Sequence, residues 1–144
     1  MDFTPQAAIA ASKDGKIEEW VDAFLRSEGN NVTFADGLKL SKRYWLGPIE
    51  IPLNILVRIC GPEPGIEFPE SQENWDHRVG ALVAHIKGGG IVPPLIVRYR
   101  QGTLTVSDGS HRHGAFEQLA IPNYWALLWC SKKDLAKVKA RFSL

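Results

Sequence analysis

The residues best suited to chemistry stand in one stretch, Val106-Ser107-Asp108-Gly109-Ser110-His111-Arg112-His113-Gly114-Ala115-Phe116-Glu117. A carboxylate, a glycine, a hydroxyl, two imidazoles and a guanidinium meet there, where an alternating apolar segment gives way to a helical pattern. Glycine allows a tight turn and a close approach of ligand to backbone, and the first amides of a helix lack intrahelical partners, so the turn suits an anion, phosphate above all. With Ser110 as the expected N-cap, His111, Arg112 and His113 fill the first turn of the helix. Basic side chains there oppose the helix dipole unless an anion compensates them, which favours a ligand site over a plain structural turn. The forked Arg112 guanidinium matches two phosphate oxygens, and His111 or His113 can donate a hydrogen bond or move a proton near neutrality. Asp108 is suited to take a proton from a substrate hydroxyl, to hold a metal, or simply to bond the turn amides. A His-x-His zinc site is disfavoured, because residues spaced by one on a helix point to different faces and no third ligand lies within sequence reach.

The elements that must position this turn are legible on both sides of it. Pro93-Pro94-Leu95-Ile96-Val97-Arg98-Tyr99 reads as a strand, Arg100-Gln101-Gly102 as a turn, and Thr103-Leu104-Thr105-Val106 as a second strand by its alternation, so a hairpin delivers the chain to Asp108. Beyond the site, Ala115, Phe116, Leu119 and Ala120 give the helix a buried side, and Tyr124 to Trp129 is an apolar run expected to form a central strand covered on both faces. Upstream, Trp75, Val79, Leu82, Val83 and Ile86 form a helical stripe with Ser71 or Asn74 as cap and Gly88-Gly89-Gly90 as its stop. Arg78 and His85 flank that stripe, where each either reaches the site or stays at the surface. The three glycines follow a helix and precede a strand, and the lysine and hydroxyl of a P-loop are missing, so they are not a phosphate loop.

Ile17, Trp20, Val21, Phe24 and Leu25 mark an amphipathic helix ending by Gly29, and a small alanine-rich segment precedes it. Asn30 to Leu46, with Lys39, Lys42, Arg43, Tyr44 and Trp45, reads as a solvated loop. Ile49 to Cys60 is rich in β-branched residues, but Pro52 limits it to a short strand and a packed turn. Ser131 is expected to cap a last helix, with Asp134 at the capping-box position.

Composition narrows the classes. With 144 residues, 44% of them hydrophobic, the chain can bury one sizeable core. The expected fold class is α+β, a small mixed sheet with helices packed around it. Residues 1–48 form a helical extension packed on the core, and residues 49–144 form the core domain with a C-terminal helix. Seventeen Lys and Arg against 16 Asp and Glu leave a formal charge of +1, weak for a nucleic-acid binder. Cys60 and Cys130 belong to no CxxC motif and read as reduced, buried thiols. The start lacks a basic n-region, and no apolar run approaches the roughly 18 residues of a membrane span, so a cytoplasmic protein without membrane contact is expected.

The element order around Asp108-Gly109-Ser110-His111-Arg112, from about Ile49 to Ser131, resembles the ParB/sulfiredoxin-like superfamily, as a single-domain member. In that superfamily the turn before this helix binds nucleotide phosphates, and its members include CTP-hydrolysing partition proteins, an ATP-dependent sulfinic acid reductase, free-serine kinases and proposed nucleases. The resemblance puts Gly109, Ser110, His111 and Arg112 at the phosphate-binding positions. Ser110 stands where sulfiredoxin has the cysteine of Gly-Gly-Cys-His-Arg, which excludes that enzyme's sulfur chemistry. Partition proteins carry Gly-Glu-Arg-Arg at the turn and further domains beyond it, so a complete partition protein is not expected. The Asp-Gly-x-x-Arg form is closer to the kinase turn Asp-Gly-His-Thr-Arg, with Glu50 and Glu73 as candidates for that branch's catalytic glutamate.

These readings imply a nucleotide-dependent phosphotransferase acting on a small hydroxyl-bearing molecule, with ATP, ADP or CTP and Mg²⁺ as cofactors. Gly109 to His113 would hold the phosphates, His111 would stabilise developing charge, Asp108 would act as base or Mg²⁺ ligand, and Arg78 would assist from the neighbouring helix. The alternatives are a non-catalytic nucleotide- or nucleic-acid-binding module using Lys39, Lys42, Arg43 and the site arginine Arg112, and a metal-dependent nuclease centred on Asp108 and His111. The sequence leaves the oligomeric state open.

Overall fold

A computed structural model describes residues 1–144. The chain runs α1 (Pro5–Lys13), α2 (Ile17–Leu25), α3 (Val32–Leu38), β1 (Tyr44–Pro52), β2 (Val57–Arg58), β3 (Cys60–Gly61), β4 (Phe68–Pro69), α4 (Gln72–Lys87), β5 (Leu95–Arg100), β6 (Thr103–Asp108), α5 (Ser110–Gln118), β7 (Asn123–Cys130) and α6 (Leu135–Phe142), with single 3₁₀ turns at Leu53–Ile55 and Lys132–Asp134. Five strands form one sheet in the order β1-β7-β5-β6-β2, and β3 and β4 form a separate parallel pair. The large sheet is mixed: β1–β7 and β5–β6 are antiparallel, β5–β7 and β2–β6 parallel. This is the α+β class with a small mixed sheet that the sequence predicts.

The apolar run of β7 is explained by burial on both faces. Its alternate residues Ala126, Leu128 and Cys130 join the larger core with Leu95, Val97, Leu104, Val106, Phe116 and Val138, while Leu127 and Trp129 face Trp20, Val21, Phe24 and Leu25 of α2. A fully buried leucine contributes about 1.5–3 kcal/mol over an exposed one, so adjacent Leu127 and Leu128 stabilise two opposite layers at once. The N-terminal helices are therefore the cover of one sheet face. The third layer is α4 on α5, where Trp75, Val79 and Val83 meet Ala115.

Two local expectations need correction. Asn30 to Leu46 is not a loop. Asn31 caps α3 by accepting from the Phe34 amide at 3.3 Å, and β1 already pairs at Tyr44 with Cys130. A seven-residue helix containing Gly37 is too short to show a periodic stripe, which hid it. The strand also crosses residue 48, so the sheet begins inside the segment read as an extension. At the other end, Ser131 makes no side-chain cap, and Asp134 lies buried in a 3₁₀ turn instead of closing a capping box.

Candidate functional site

The β5–β6 ladder slips between Ile96↔Asp108 and Val97↔Val106, leaving Ser107 as an extra residue on β6. Such a bulge re-aims the side chains beside it. Ser107 Oγ accepts from Trp129 Nε1 at 3.0 Å, and Asp108 Oδ1 accepts from Asn31 Nδ2 at 3.0 Å, so two successive residues both meet the layer under the N-terminal helices.

Gly109, not Ser110, is the N-cap of α5, at φ +111. A Cβ there would stand 2.7 Å from both Arg112 Nη2 and Leu95 Cδ2, so the turn needs glycine on conformational and steric grounds. Moving the cap back by one residue makes Ser110, His111 and Arg112 the residues whose amides lack intrahelical partners. The His113 amide is already spent on Gly109 O at 2.8 Å.

The turn opens into a cavity of about 450 Å³ lined by Phe24, Glu28 and Gly29 at the end of α2, His77, Arg78, Ala81 and Leu82 of α4, Pro93, and Asp108, Gly109, His111 and Arg112. Five of the residues expected at the site thus meet in one place: Arg78, Asp108, Gly109, His111 and Arg112. Arg78 is exposed and takes part in none of the ion pairs, which leaves its charge free at the cavity. Arg112 is turned inward. Its Nη2 donates to Pro94 O at 3.1 Å and approaches Asp108 Oδ2 at 3.4 Å, its guanidinium lies 5.6 Å from the Phe24 ring centroid, and its Nε is buried without a partner. Burial draws the Arg112 pKa down and Asp108 offsets part of that, yet a guanidinium remains charged at neutral pH.

Ser110 and His113 go elsewhere. The Ser110 side chain is buried and lines neither cavity. The His113 Nε2 sits 3.2 Å from Leu53 O, its Nδ1 lies 3.2 Å from Glu117 Oε1 but off the hydrogen-bonding direction, and its ring faces a second cavity of about 400 Å³ with Leu56, Arg58 and Glu63. As helix geometry dictates, His111 and His113 occupy different sides of α5. His85 stays exposed on α4, its ring packed over Gly90.

His111 has a partner that the sequence does not reveal. Its Nε2 lies 2.6 Å from Glu70 Oε2, and its ring packs 4.9 Å from that of Trp75. The β3–β4 pair delivers Glu70, whose amide donates to Gly61 O at 2.9 Å, and Ser71 then caps α4. Close packing of α4 on α5, with Gly114 against the Trp75 ring, brings Glu70 under His111. The His111 pKa is lowered, first by burial and further by Arg78 and Arg112, against the opposing pull of Glu70. A neutral imidazole whose Nε2–H donates to the carboxylate presents its Nδ1 lone pair as an acceptor. Glu50 on β1 and Glu73 in α4 are exposed and outside the cavity; Glu28 lines it, and Glu70 reaches the turn through His111. Nothing local marks it in sequence; only the packing of two helices and a two-residue strand pair does.

The basic cluster near α3 is occupied. Lys39 pairs with Asp22 at 3.5 Å, Lys42 lies over the Tyr44 ring, and Arg43 donates to Gly37 O while covering Trp129. No helix is long and apolar enough to cross a membrane.

No protein family and no curated protein matches the sequence. Solved structures do. A sulfiredoxin from Arabidopsis thaliana is similar at 24% identity over 65% of this chain and 96% of its own, with a TM-score of 0.45. A free serine kinase in complex with AMP is similar at 17% identity over 56% of this chain and 30% of its own, with a TM-score of 0.44. A C-terminally truncated chromosome-partitioning protein ParB from Caulobacter crescentus, complexed with CTP-gamma-S, follows at 21% identity over 58% of this chain and 44% of its own, with a TM-score of 0.43. The chain thus spans less than half the length of the kinase and partition-protein chains. What it is similar to is a set of ParB/sulfiredoxin-like structures.

Proposed function

We propose that the cavity at the start of α5 binds the phosphates of a nucleoside di- or triphosphate and that the protein transfers a phosphoryl group to a small hydroxyl-bearing molecule. One observation carries this reading: Gly109, His111 and Arg112 of the turn, the last two with amides that lack intrahelical partners, meet the unpaired cation Arg78 at one cavity. Amides at a helix start and a guanidinium are the donors that phosphate oxygens require.

In this arrangement Arg78 and the α5 amides hold the phosphates and stabilise charge on the transferred group. Arg112 holds the turn from within, tying Asp108 to Pro94. Asp108 is already engaged by Asn31 and Arg112, whereas His111, oriented through Nε2 by Glu70, keeps its Nδ1 available as the proton acceptor. The acceptor hydroxyl gives its proton to His111 Nδ1 as its oxygen bonds to the terminal phosphorus and the bond from phosphorus to the bridging oxygen breaks. Glu70 stabilises the imidazolium that results. Asp108 and Glu28, the two carboxylates lining the cavity, would help hold Mg²⁺, which would neutralise charge on the phosphates.

A thermal-shift series with ATP, ADP, CTP, GTP and inorganic phosphate, each with Mg²⁺, tests the binding. A ligand at 100 times its Kd stabilises the native state by about 2.7 kcal/mol. Nucleotides should raise Tm more than phosphate does, and Arg78→Ala should remove most of that rise. No rise with any nucleotide would overturn the reading.

A further inference from the structure

Behind the phosphate turn, three side chains with metal-ligand chemistry converge from three separate segments: Cys60 on β3, Glu70 ahead of α4 and His111 on α5. The Cys60 thiol donates to Glu70 Oε2 at 3.7 Å, His111 Nε2 lies 2.6 Å from the same oxygen, and the three ligand atoms all fall within 4.8 Å of one another. All three residues are partly buried, and no lysine or arginine pairs with them.

The spacing comes close to that of a tetrahedral ion, with one separation already right, one short and the third, Sγ to Nε2, within 4.8 Å. Bonds of about 2.3 Å to sulfur and about 2.0–2.1 Å to nitrogen and oxygen put ligand atoms roughly 3.3–3.7 Å apart. Sγ and Oε2 already stand at that separation, and Nε2 and Oε2 need to part by less than about 1 Å once the proton between them is gone. The backbone prepares the set: the β3–β4 pairing holds Cys60 and Glu70, and α5 holds His111. Outer partners are present as well, since Asn74 Nδ2 donates to Glu70 and Trp75 packs on the imidazole.

We propose that Cys60, Glu70 and His111 form a Zn²⁺ site with three protein ligands and a fourth position open to water. A thiolate and a carboxylate balance the two charges of the ion, and the soft sulfur selects Zn²⁺ over Mg²⁺. On binding, the Sγ–Zn bond replaces Sγ–H and one proton leaves to solvent. The imidazole binds through Nε2 and carries its proton on Nδ1, so it offers the cavity no lone pair. If phosphoryl transfer proceeds as proposed above, Zn²⁺ therefore inhibits it; the binding of the ion does not depend on that reading.

Titrating the reduced full-length chain with Co²⁺ as a probe tests the site without any assay of activity. The expected result is a near-ultraviolet thiolate-to-Co²⁺ charge-transfer band with intense visible bands of tetrahedral Co²⁺, both erased by Zn²⁺ and untouched by Mg²⁺. Cys60→Ser should abolish the charge-transfer band while leaving the far-ultraviolet circular dichroism unchanged. Glu70→Gln should keep the band and weaken affinity by at least about tenfold, the lower end of what even outer-shell losses cost. Absence of the band in the folded wild-type chain, or its survival in Cys60→Ser, would overturn the proposal. Neither result bears on the nucleotide series, so the two readings fail separately.

Discussion

Asn31 donates from Nδ2 to Asp108 Oδ1 at 3.0 Å across 77 positions of sequence, tying the start of α3 to the turn before α5. The same side chain caps α3 through its Oδ1. The N-terminal helices thereby become part of the site, with Phe24, Glu28 and Gly29 as one wall of the cavity.

Asn31→Ala should remove both bonds. A lost N-cap costs about 1 kcal/mol and a hydrogen bond to a charged group about 1.5–3 kcal/mol, so a total of roughly 2–4 kcal/mol should appear in urea denaturation. Asn31→Asp keeps the cap but sets a second carboxylate against Asp108. A variant as stable as wild type would show that the link to Asp108 contributes nothing.

Gly109→Ala forces a Cβ into Arg112 and Leu95 at a left-handed φ. The backbone strain alone costs about 1–3 kcal/mol, and the turn must move to relieve the contacts. Reduced stability together with lost nucleotide stabilisation is expected, whereas Gly65→Ala, also at positive φ but with open space around its Cβ, should lower stability and leave binding intact.

The lowered His111 pKa gives a pH dependence of definite sign. Its chief cause is burial, so between the folded and unfolded pKa values the unfolded chain binds more protons and stability rises with pH. The contribution is complete above the unfolded value of about 6.5 and is lost as pH falls through the depressed folded value. Comparing urea midpoints of wild type and His111→Gln from about pH 8 to about pH 5 isolates it; wild type should lose more stability over that range, and parallel profiles would refute the assignment.

Arg78 and Arg112 should separate binding from folding. Arg78→Ala, at an exposed and unpaired side chain, is expected to change stability by less than about 0.5 kcal/mol while weakening nucleotide binding. Arg112→Ala strips a buried partner from Asp108 and should cost about 3–5 kcal/mol. Equal effects of the two on Tm would contradict the roles given to them.

The sequence by itself determined the elements whose signals are local. The alternation of Leu104 and Val106, the apolar run of β7, the stripe from Trp75 to Ile86 and the glycine before Ser110 each reflect a backbone preference within a few residues, and they place the hairpin, the turn and the helix that follows it. Arg78, which the element order leaves either at the turn or at the surface, lines the cavity. The tertiary structure decided what no local period encodes. The bulge at Ser107 turns Asp108 toward Asn31, the cap falls on Gly109 because only a left-handed residue fits there, and His113 points away because two positions on a helix lie on different faces. Glu70 reaches His111, 41 residues further along the chain, and Cys60 joins them only through the β3–β4 pair and the packing of α4 on α5, contacts chosen by the folded core, not by neighbours in the chain.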